Sequence, residues 1–137
     1  MEKLIDDLVE RTHIVLNEAE ALKELQKANL QWRPSSESWS VLVCIEHLNR
    51  YGRFYIPEIK QRMQDGKPSK PGQVFKTGLL GNYFAKSMLP KEKLNTMKTF
   101  SNMNPLNSTL EKDTIDEFIQ QQKQMLQILG DCRTVDL

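Results

Sequence analysis

The sequence predicts an all-α domain, and two observations carry this prediction. Three long stretches place apolar side chains at intervals of three and four residues, which is the spacing of one face of an α-helix. The composition is typical of a folded, helix-rich protein, with 39% hydrophobic residues, 27% charged residues, and only six glycines and six prolines. Because 137 residues is the usual length of one domain, we expect a single helical domain over residues 1–137.

The N-terminal residues indicate where the protein resides. The chain begins Met-Glu-Lys and reaches two aspartates within seven residues, so it does not begin with an apolar signal region. No apolar run has the length needed to span a bilayer. We therefore expect a cytoplasmic protein without a membrane partner.

The first helix is predicted over about residues 3–27. Acidic residues near its start interact favourably with the positive end of the helix dipole and so support a helix that begins here. His13 lies at the edge of the apolar face, where a histidine serves either as a boundary side chain with one hydrated nitrogen or as a ligand; we favour the first. The apolar positions are Ile5, Leu8, Val9, Thr12, Val15, Leu16, Ala19 and Leu22.

A second helix is predicted over about residues 40–64, after a loop that Pro34 holds extended. A serine, Ser38 or Ser40, should cap its N-terminus by accepting a hydrogen bond from a first-turn amide. Gly52 allows another backbone to approach closely, and Pro57 should bend the last turns. The predicted core stripe of this helix consists of Val41, Ile45, Leu48, Tyr55 and Ile59.

His47 borders this stripe and is the candidate metal ligand of the chain. Cys44 and Tyr51 are its neighbours on the helix surface, at spacings of three and four residues. Glu46 points about 100° away from His47 and is expected to face solvent. A histidine held early on a long helix can supply one ligand of a metal site between helices.

The two cysteines and the aromatic residues around His47 each allow two interpretations. Cys44 and Cys132 are expected to be reduced, partly buried thiols that pack, rather than metal ligands, because no matching Cys or His pair follows at a zinc-site interval. The aromatic cluster lines a pocket or simply packs, and we favour packing. Its members are Trp32, Trp39, Tyr51 and Tyr55.

The segment 66–108 loses the helical periodicity and is interrupted by glycine and proline. Residues 60–98 carry nine basic and two acidic residues, while both flanking parts of the chain are acidic. Such a basic segment either binds phosphate groups or is a solvent-exposed loop that links two helices. Because the segment has no glycine-rich phosphate-binding loop, we favour the second interpretation. We expect short helices around 77–87 and 91–98, in a segment that lies over one end of the domain as a lid.

A third long helix is predicted over about residues 111–129, starting at Thr109 or Asp113. Gly130 stands where a helix-ending residue with positive φ is expected. Val135 and Leu137 look like the start of a further segment. The apolar face consists of Ile115, Phe118, Ile119, Met125, Leu126 and Leu129.

Five motifs resemble those of the DinB-like proteins, a bacterial group, and the resemblance extends through all 137 residues. The Trp-Ser pair followed by a helix with His-Leu-Asn is moderately specific, and the Gly-Leu-Leu-Gly stretch points to one subgroup. The motifs are Trp32-x-Pro34, Ser38-Trp39-Ser40, Glu46-His47-Leu48-Asn49, Phe54-Tyr55-x-Pro57-Glu58-Ile59 and Gly78-Leu79-Leu80-Gly81-Asn82-Tyr83.

The resemblance implies a four-helix bundle of the up-down-down-up type with a divalent metal, zinc or nickel, bound by three histidines. One histidine would come from the second helix and two from a His-x-x-x-His pair on the last helix. Only His47 can be carried over, since the chain has two histidines and no such pair. The sequence therefore resembles a DinB-like protein that lacks its last helix, and we expect metal to be absent or weakly bound.

Three functions are compatible with these observations. The first is a metal-dependent transferase or hydrolase resembling family members that transfer thiols to small electrophiles, with His47 as a ligand. The second is a non-catalytic helical module that binds a small molecule or a protein, and it requires no missing residue. The third, nucleic-acid binding through the basic segment, is the least favoured and is not expected. An apolar groove left by a missing helix predicts a homodimer.

Overall fold

The computed structural model describes residues 2–68, 78–89 and 98–136. Three long helices dominate it, α1 (Glu2–Lys23), α3 (Val41–Asp65) and α5 (Asp113–Asp131). The all-α class is confirmed, because the only strands described are a two-residue antiparallel pair. The shorter elements are α2 (Lys27–Gln31), β1 (Lys67–Pro68), α4 (Leu79–Met88), a 3₁₀ turn at Ser101–Met103, a second one at Cys132–Thr134, and β2 (Val135–Asp136).

Helix α5 is the centre of the fold. It packs along both α1 and α3, whereas α1 and α3 have few or no backbone contacts with each other. One core cluster gathers around Leu42, Ile115 and Phe118, and a second gathers around Ile56 and Ile128 at the other end of the helices. Helices α1 and α3 therefore each bury one face against α5.

Helix α1 ends earlier than predicted, at Lys23 instead of about residue 27. Gln26 adopts extended backbone, and the chain turns into the five-residue helix α2. This turn carries Leu30 into the core, where its side chain is fully buried. Complete burial of a leucine side chain stabilises by about 1.5–3 kcal/mol, which offsets the cost of interrupting the helix.

Helix α3 begins as the cap prediction requires. The Oγ of Ser40 accepts a hydrogen bond from the Val43 backbone N–H at 3.3 Å. The helix then continues through Pro57 to Asp65. This helix carries the rings of His47, Tyr51, Phe54 and Tyr55, which form most of the candidate site described below.

The predicted core stripes of α1 and α3 are wrong in part. Leu48 and Tyr55 of α3 are 47% and 51% exposed, and Leu8 and Val15 of α1 are also exposed. Helix α3 instead buries a face that is rotated toward Glu46 and Asn49. The reason is that α5 covers only one flank of each helix, so the rest of each apolar stripe remains in contact with solvent.

The segment predicted to form a lid is described only in part. The bounds of helix α4, Leu79–Met88, nearly match those of the short helix predicted at 77–87. Its first residue, Leu79, is almost fully exposed. The helix predicted at 91–98 falls, except for its last residue, outside the described residues, as does much of the proposed lid. Val135 pairs with Pro68 and Asp136 with Lys67 in the two-residue antiparallel strand pair. None of the described helices combines the length and the apolar character needed to cross a membrane.

Candidate functional site

Five rings form a continuous aromatic ladder on the outer side of α3. The ring centroids of Trp39 and His47 are 4.9 Å apart, and those of His47 and Tyr51 are 5.0 Å apart in an edge-to-face arrangement. Tyr51 and Tyr55 lie nearly parallel at 6.1 Å, and Phe54 meets Tyr55 edge-to-face at 5.0 Å. All four distances lie within the range of favourable aromatic pairs. We call these residues the aromatic ladder.

The ladder follows from the register of the sequence. His47, Tyr51 and Tyr55 are spaced by four residues, so an α-helix places them one above the other. Trp39 lies in the loop, one residue before the capping Ser40, and forms the first ring of the ladder through its contact with His47. Trp32, which the sequence placed in the same cluster, makes no ring contact among the described residues and is highly exposed.

One hydrogen bond fixes the His47 ring. Its Nδ1 lies 2.8 Å from the backbone carbonyl oxygen of Met103. A carbonyl oxygen only accepts, so Nδ1 carries the proton and donates it. This contact sets the ring orientation and leaves Nε2 as the nitrogen that can bind another group.

Arg50 ties the same loop to α3. Its guanidinium donates to the backbone oxygens of Asn102 and Asn104 at 3.1 and 3.0 Å, and to the Ser108 Oγ at 3.0 Å. Three consecutive loop carbonyls are therefore held by two side chains of α3, Arg50 and His47. The rigid fork of arginine donors suits this multiple contact.

Glu46 is buried, so the expectation that it faces solvent is wrong. Its carboxylate accepts hydrogen bonds from Arg50 at 3.2 Å and from Arg53 at 2.9 and 3.2 Å. Arg53 also donates to both oxygens of Glu117 on α5, at 2.7 and 2.6 Å. Because two guanidinium groups neutralise it, the Glu46 carboxylate can remain 7% exposed without an unpaired charge.

Gly52 accommodates the buried side-chain amide of Gln121 from α5, so the nearest group is a side chain and not the backbone that was expected. A Cβ atom at this position would stand 1.8 Å from the Gln121 Oε1. The Gln121 amide donates to the Asn49 backbone oxygen and to Glu117, each at 3.1 Å. Asn49 in turn donates to the Thr114 backbone oxygen at 2.8 Å. These polar contacts fix α3 against α5 beneath the ladder.

A family comparison assigns this chain. The sequence model of the DinB superfamily matches residues 15–137, which include every element described above except the first turns of α1. The chain belongs to the DinB superfamily. Neither the curated proteins nor the solved structures gave a match.

The described part of this DinB-superfamily chain does not fit a three-histidine metal centre. His47 offers one nitrogen, and no cluster of three His, Cys, Asp or Glu side chains suited to a metal ion occurs among residues 2–68, 78–89 and 98–136. His13 is exposed on α1 and makes no ring contact with the ladder among these residues. A catalytic zinc needs about three protein ligands.

The cysteines behave differently from each other. Both are free thiols, but Cys44 is exposed one turn before His47, whereas Cys132 is buried against Met63, with 3.6 Å between the two sulfurs. Cys44 therefore lies nearer to solvent than expected, and Cys132 is more deeply buried. Partial desolvation nevertheless raises the pKa of the Cys44 thiol, so it is less reactive than an ordinary surface cysteine.

A shallow cavity of about 380 Å³ lies away from the ladder, between the last turns of α3 and α5. Lys60, Gln64, Gln127 and Asp131 contribute polar groups to its wall. Neither His47 nor any other ladder residue lines it. Ligand sites are usually lined mainly by apolar and aromatic side chains, so we place the candidate site at the ladder and not in this cavity.

The ion pair below the ladder predicts acid sensitivity. The hydrogen bond from Arg53 holds the pKa of Glu117 below its ordinary value, with a smaller contribution from Gln121. A lowered pKa in the folded state stabilises the fold at a pH above the ordinary glutamate value, and this stabilisation is lost as the pH falls through the folded value. Urea unfolding between about pH 7 and pH 3 should therefore show a shallower loss of stability for Glu117→Gln than for the wild type. An equal loss in both proteins would contradict this, and Glu10→Gln, an exposed change on α1, is the control.

Proposed function

We propose that this DinB-superfamily chain is a non-catalytic helical module that binds a small, planar, largely apolar molecule along the aromatic ladder. The observation that carries the proposal is the continuity of five rings on the outer side of one helix, from Trp39 to Phe54. Aromatic side chains supply large contact areas, and their polar tips orient a ligand.

The exposure of the ladder supports a binding role. Phe54 and Tyr55 leave 56% and 51% of their surfaces in solvent, and Leu48, one turn before Tyr51 on the same helix, is also exposed. Contiguous exposed apolar patches on soluble proteins commonly mark interaction sites. A planar molecule laid against these rings would remove their apolar surface from water, at about 25 cal/mol for each Å² buried.

The ladder is also rigid before any ligand arrives. Its central ring is fixed by the His47–Met103 hydrogen bond, and its helix is fixed to α5 by the Arg53–Glu117 pair. A surface that is already ordered loses little conformational entropy when a ligand binds. The Nε2 of His47 gives such a ligand one polar contact point within the rings.

A metal-dependent thiol transferase or hydrolase, which the family resemblance implies, has less support. It needs at least two ligands besides His47, and no group of three His, Cys, Asp or Glu side chains that could hold a metal ion occurs among the described residues. Binding along the ladder uses only side chains that are in place.

Truncation of ladder rings should weaken binding of an aromatic probe. We expect 8-anilinonaphthalene-1-sulfonate to bind the folded wild type, with an affinity that Tyr51→Ala and Tyr55→Ala each lower by roughly 2- to 10-fold, the value of one aromatic contact. Tyr51→Phe should retain most of the affinity because it keeps the ring. Fluorescence titration of the native protein measures these constants.

The matched control is Phe100→Ala, which removes an aromatic ring of the loop that is 74% exposed and outside the ladder. It should leave the dissociation constant unchanged. Thermal unfolding curves of each variant verify that the probe reports on a folded protein. If Phe100→Ala weakened binding as much as Tyr55→Ala did, the ladder would not be the binding surface.

A further inference from the structure

The His47 ring offers a bound molecule one specific kind of polar contact. Its Nδ1–H donates to the Met103 carbonyl oxygen at 2.8 Å, so in the neutral imidazole the other nitrogen, Nε2, carries a lone pair and no hydrogen. Nε2 forms no hydrogen bond with any described residue. In the described part of the chain, the unpartnered side-chain atoms that solvent cannot reach are the Asn49 Oδ1 and the Thr99 Oγ1, so Nε2 is accessible. It is therefore an open acceptor that cannot donate.

The two tyrosines of the ladder impose no such restriction. The hydroxyl groups of Tyr51 and Tyr55 form no hydrogen bond with any residue that the structure describes. A phenolic hydroxyl group either donates or accepts, and it rotates to suit its partner. A molecule laid along the rings can therefore meet a tyrosine with a donor or an acceptor, but it can meet His47 only with a donor.

The two arginines that follow His47 on α3 are already engaged. Arg50 donates to loop oxygens, and Arg53 donates to the carboxylates of Glu46 and Glu117. Apart from His47, the ladder consists of tryptophan, tyrosine and phenylalanine side chains, which carry no charge at neutral pH. An anionic molecule would lose hydration at the ladder without gaining a counterion, so the surface favours a neutral molecule.

We propose that the aromatic ladder selects neutral planar molecules that carry an N–H or O–H donor on their edge, the class of indoles and phenols, and that the His47 Nε2 recognises this donor. The inference rests on the proposed function, because it names the class of molecule that the ladder binds. A planar molecule without a donor would cover Nε2 and leave a desolvated acceptor unpaired. A site that hydrogen-bonds an N–H or O–H group rejects analogues that lack it for this reason.

Indole and benzofuran test this selection. They have nearly the same planar shape and differ at one ring atom, which is an N–H group in indole and an oxygen in benzofuran. At about pH 8, where an ordinary imidazole is neutral, we expect the wild type to bind indole roughly 2- to 10-fold more tightly, the effect of one hydrogen bond. NMR titrations that follow the ring resonances of Trp39 and Tyr51 measure both dissociation constants.

Two substitutions separate recognition by His47 from its anchoring to the loop. In His47→Asn, the side-chain amide can replace Nδ1–H as the donor to Met103, but no atom replaces Nε2, so the preference for indole should disappear. In His47→Gln, the longer side chain can place its amide oxygen near the former Nε2 and loses the Met103 contact, so part of the preference should remain. A purely structural role of His47 predicts the opposite ranking. Both variants lose a ring and should bind more weakly, so the readout is the ratio of the two constants.

The His47 ring itself gives a second readout. In long-range ¹H–¹⁵N spectra of the wild type, saturating indole should shift the Nε2 resonance more than saturating benzofuran does, while Nδ1 stays protonated. Equal affinities for the two molecules in the wild type, or a preference that survives in a folded His47→Asn, would overturn the inference and leave the proposed function intact. If neither molecule binds at the ladder, the inference and the proposed function both fail.

Discussion

Arg53→Met is expected to lower the free energy of unfolding by about 2–3 kcal/mol. Breaking a fully buried ion pair usually costs about 3–5 kcal/mol, and a smaller figure applies here because the Arg53 side chain is 48% exposed and Arg50 still contacts the carboxylate. The cost arises from Glu46, which is 7% exposed and would lose two of its three hydrogen bonds. Glu117 would lose its partner as well, but it is exposed enough to be hydrated.

The second variant also removes the Glu46 carboxylate, which Arg53→Met leaves without its main counterion. Adding Glu46→Met to Arg53→Met should recover a large part of the lost stability, since an apolar side chain of similar size needs no counterion. Arg62→Met, an exposed change on the same helix, is the matched control and should alter stability by less than about 0.5 kcal/mol. Urea unfolding measures all four proteins. A double variant less stable than Arg53→Met would show that Glu46 is not held by charge pairing.

Gly52→Ala is expected to destabilise the fold by about 1–2 kcal/mol, although alanine is the better helix former by about 0.5–1 kcal/mol. Its Cβ would occupy the place of the Gln121 Oε1, 1.8 Å away. The Gln121 side chain would have to move and would lose its hydrogen bonds to Asn49 and Glu117. Each bond contributes about 1 kcal/mol, so their loss outweighs the gain in helix propensity.

The effect of Gly52→Ala on the free energy of unfolding should change sign when Gln121 is truncated. In a chain that already carries Gln121→Ala, no amide fills the space above Gly52, and Gly52→Ala should stabilise by roughly the helix-propensity difference, about 0.5–1 kcal/mol. Four urea unfolding curves complete the cycle. If Gly52→Ala had the same effect in both backgrounds, Gly52 and Gln121 would not be coupled.

Local pattern was enough to predict the three long helices and the start of α3. The helical periods depend on neighbouring residues, and Ser40 caps a helix that starts at the next residue. Burial was harder to predict. Glu46 was expected to face solvent because a lone carboxylate avoids the interior, but its buried state depends on Glu117 through Arg53, across a separation of 64 residues. The spacing of Glu46, Arg50 and Arg53 on one helix face was the available signal.

The apolar stripes show the same limit. Periodicity placed Leu48 and Tyr55 on one face with Ile45, and they do share it, but only Ile45 is buried. Which part of a stripe is covered depends on where the neighbouring helix lies, and the position of α5 is a tertiary property. For the site, the four-residue spacing of His47, Tyr51 and Tyr55 predicted their proximity. The anchoring carbonyl of Met103 belongs to an aperiodic loop and left no sequence signal.

The most direct test of the binding role is a ¹H–¹⁵N and aromatic ¹H–¹³C NMR titration of the wild type with 8-anilinonaphthalene-1-sulfonate. If the aromatic ladder is the binding surface, saturable shift changes will concentrate on the rings of Trp39, His47, Tyr51 and Tyr55, with one common dissociation constant. Phe100 and the cavity-lining residues Lys60 and Asp131 will stay unchanged. Shifts centred on that cavity, or spread evenly over the surface without saturation, would contradict the proposed function.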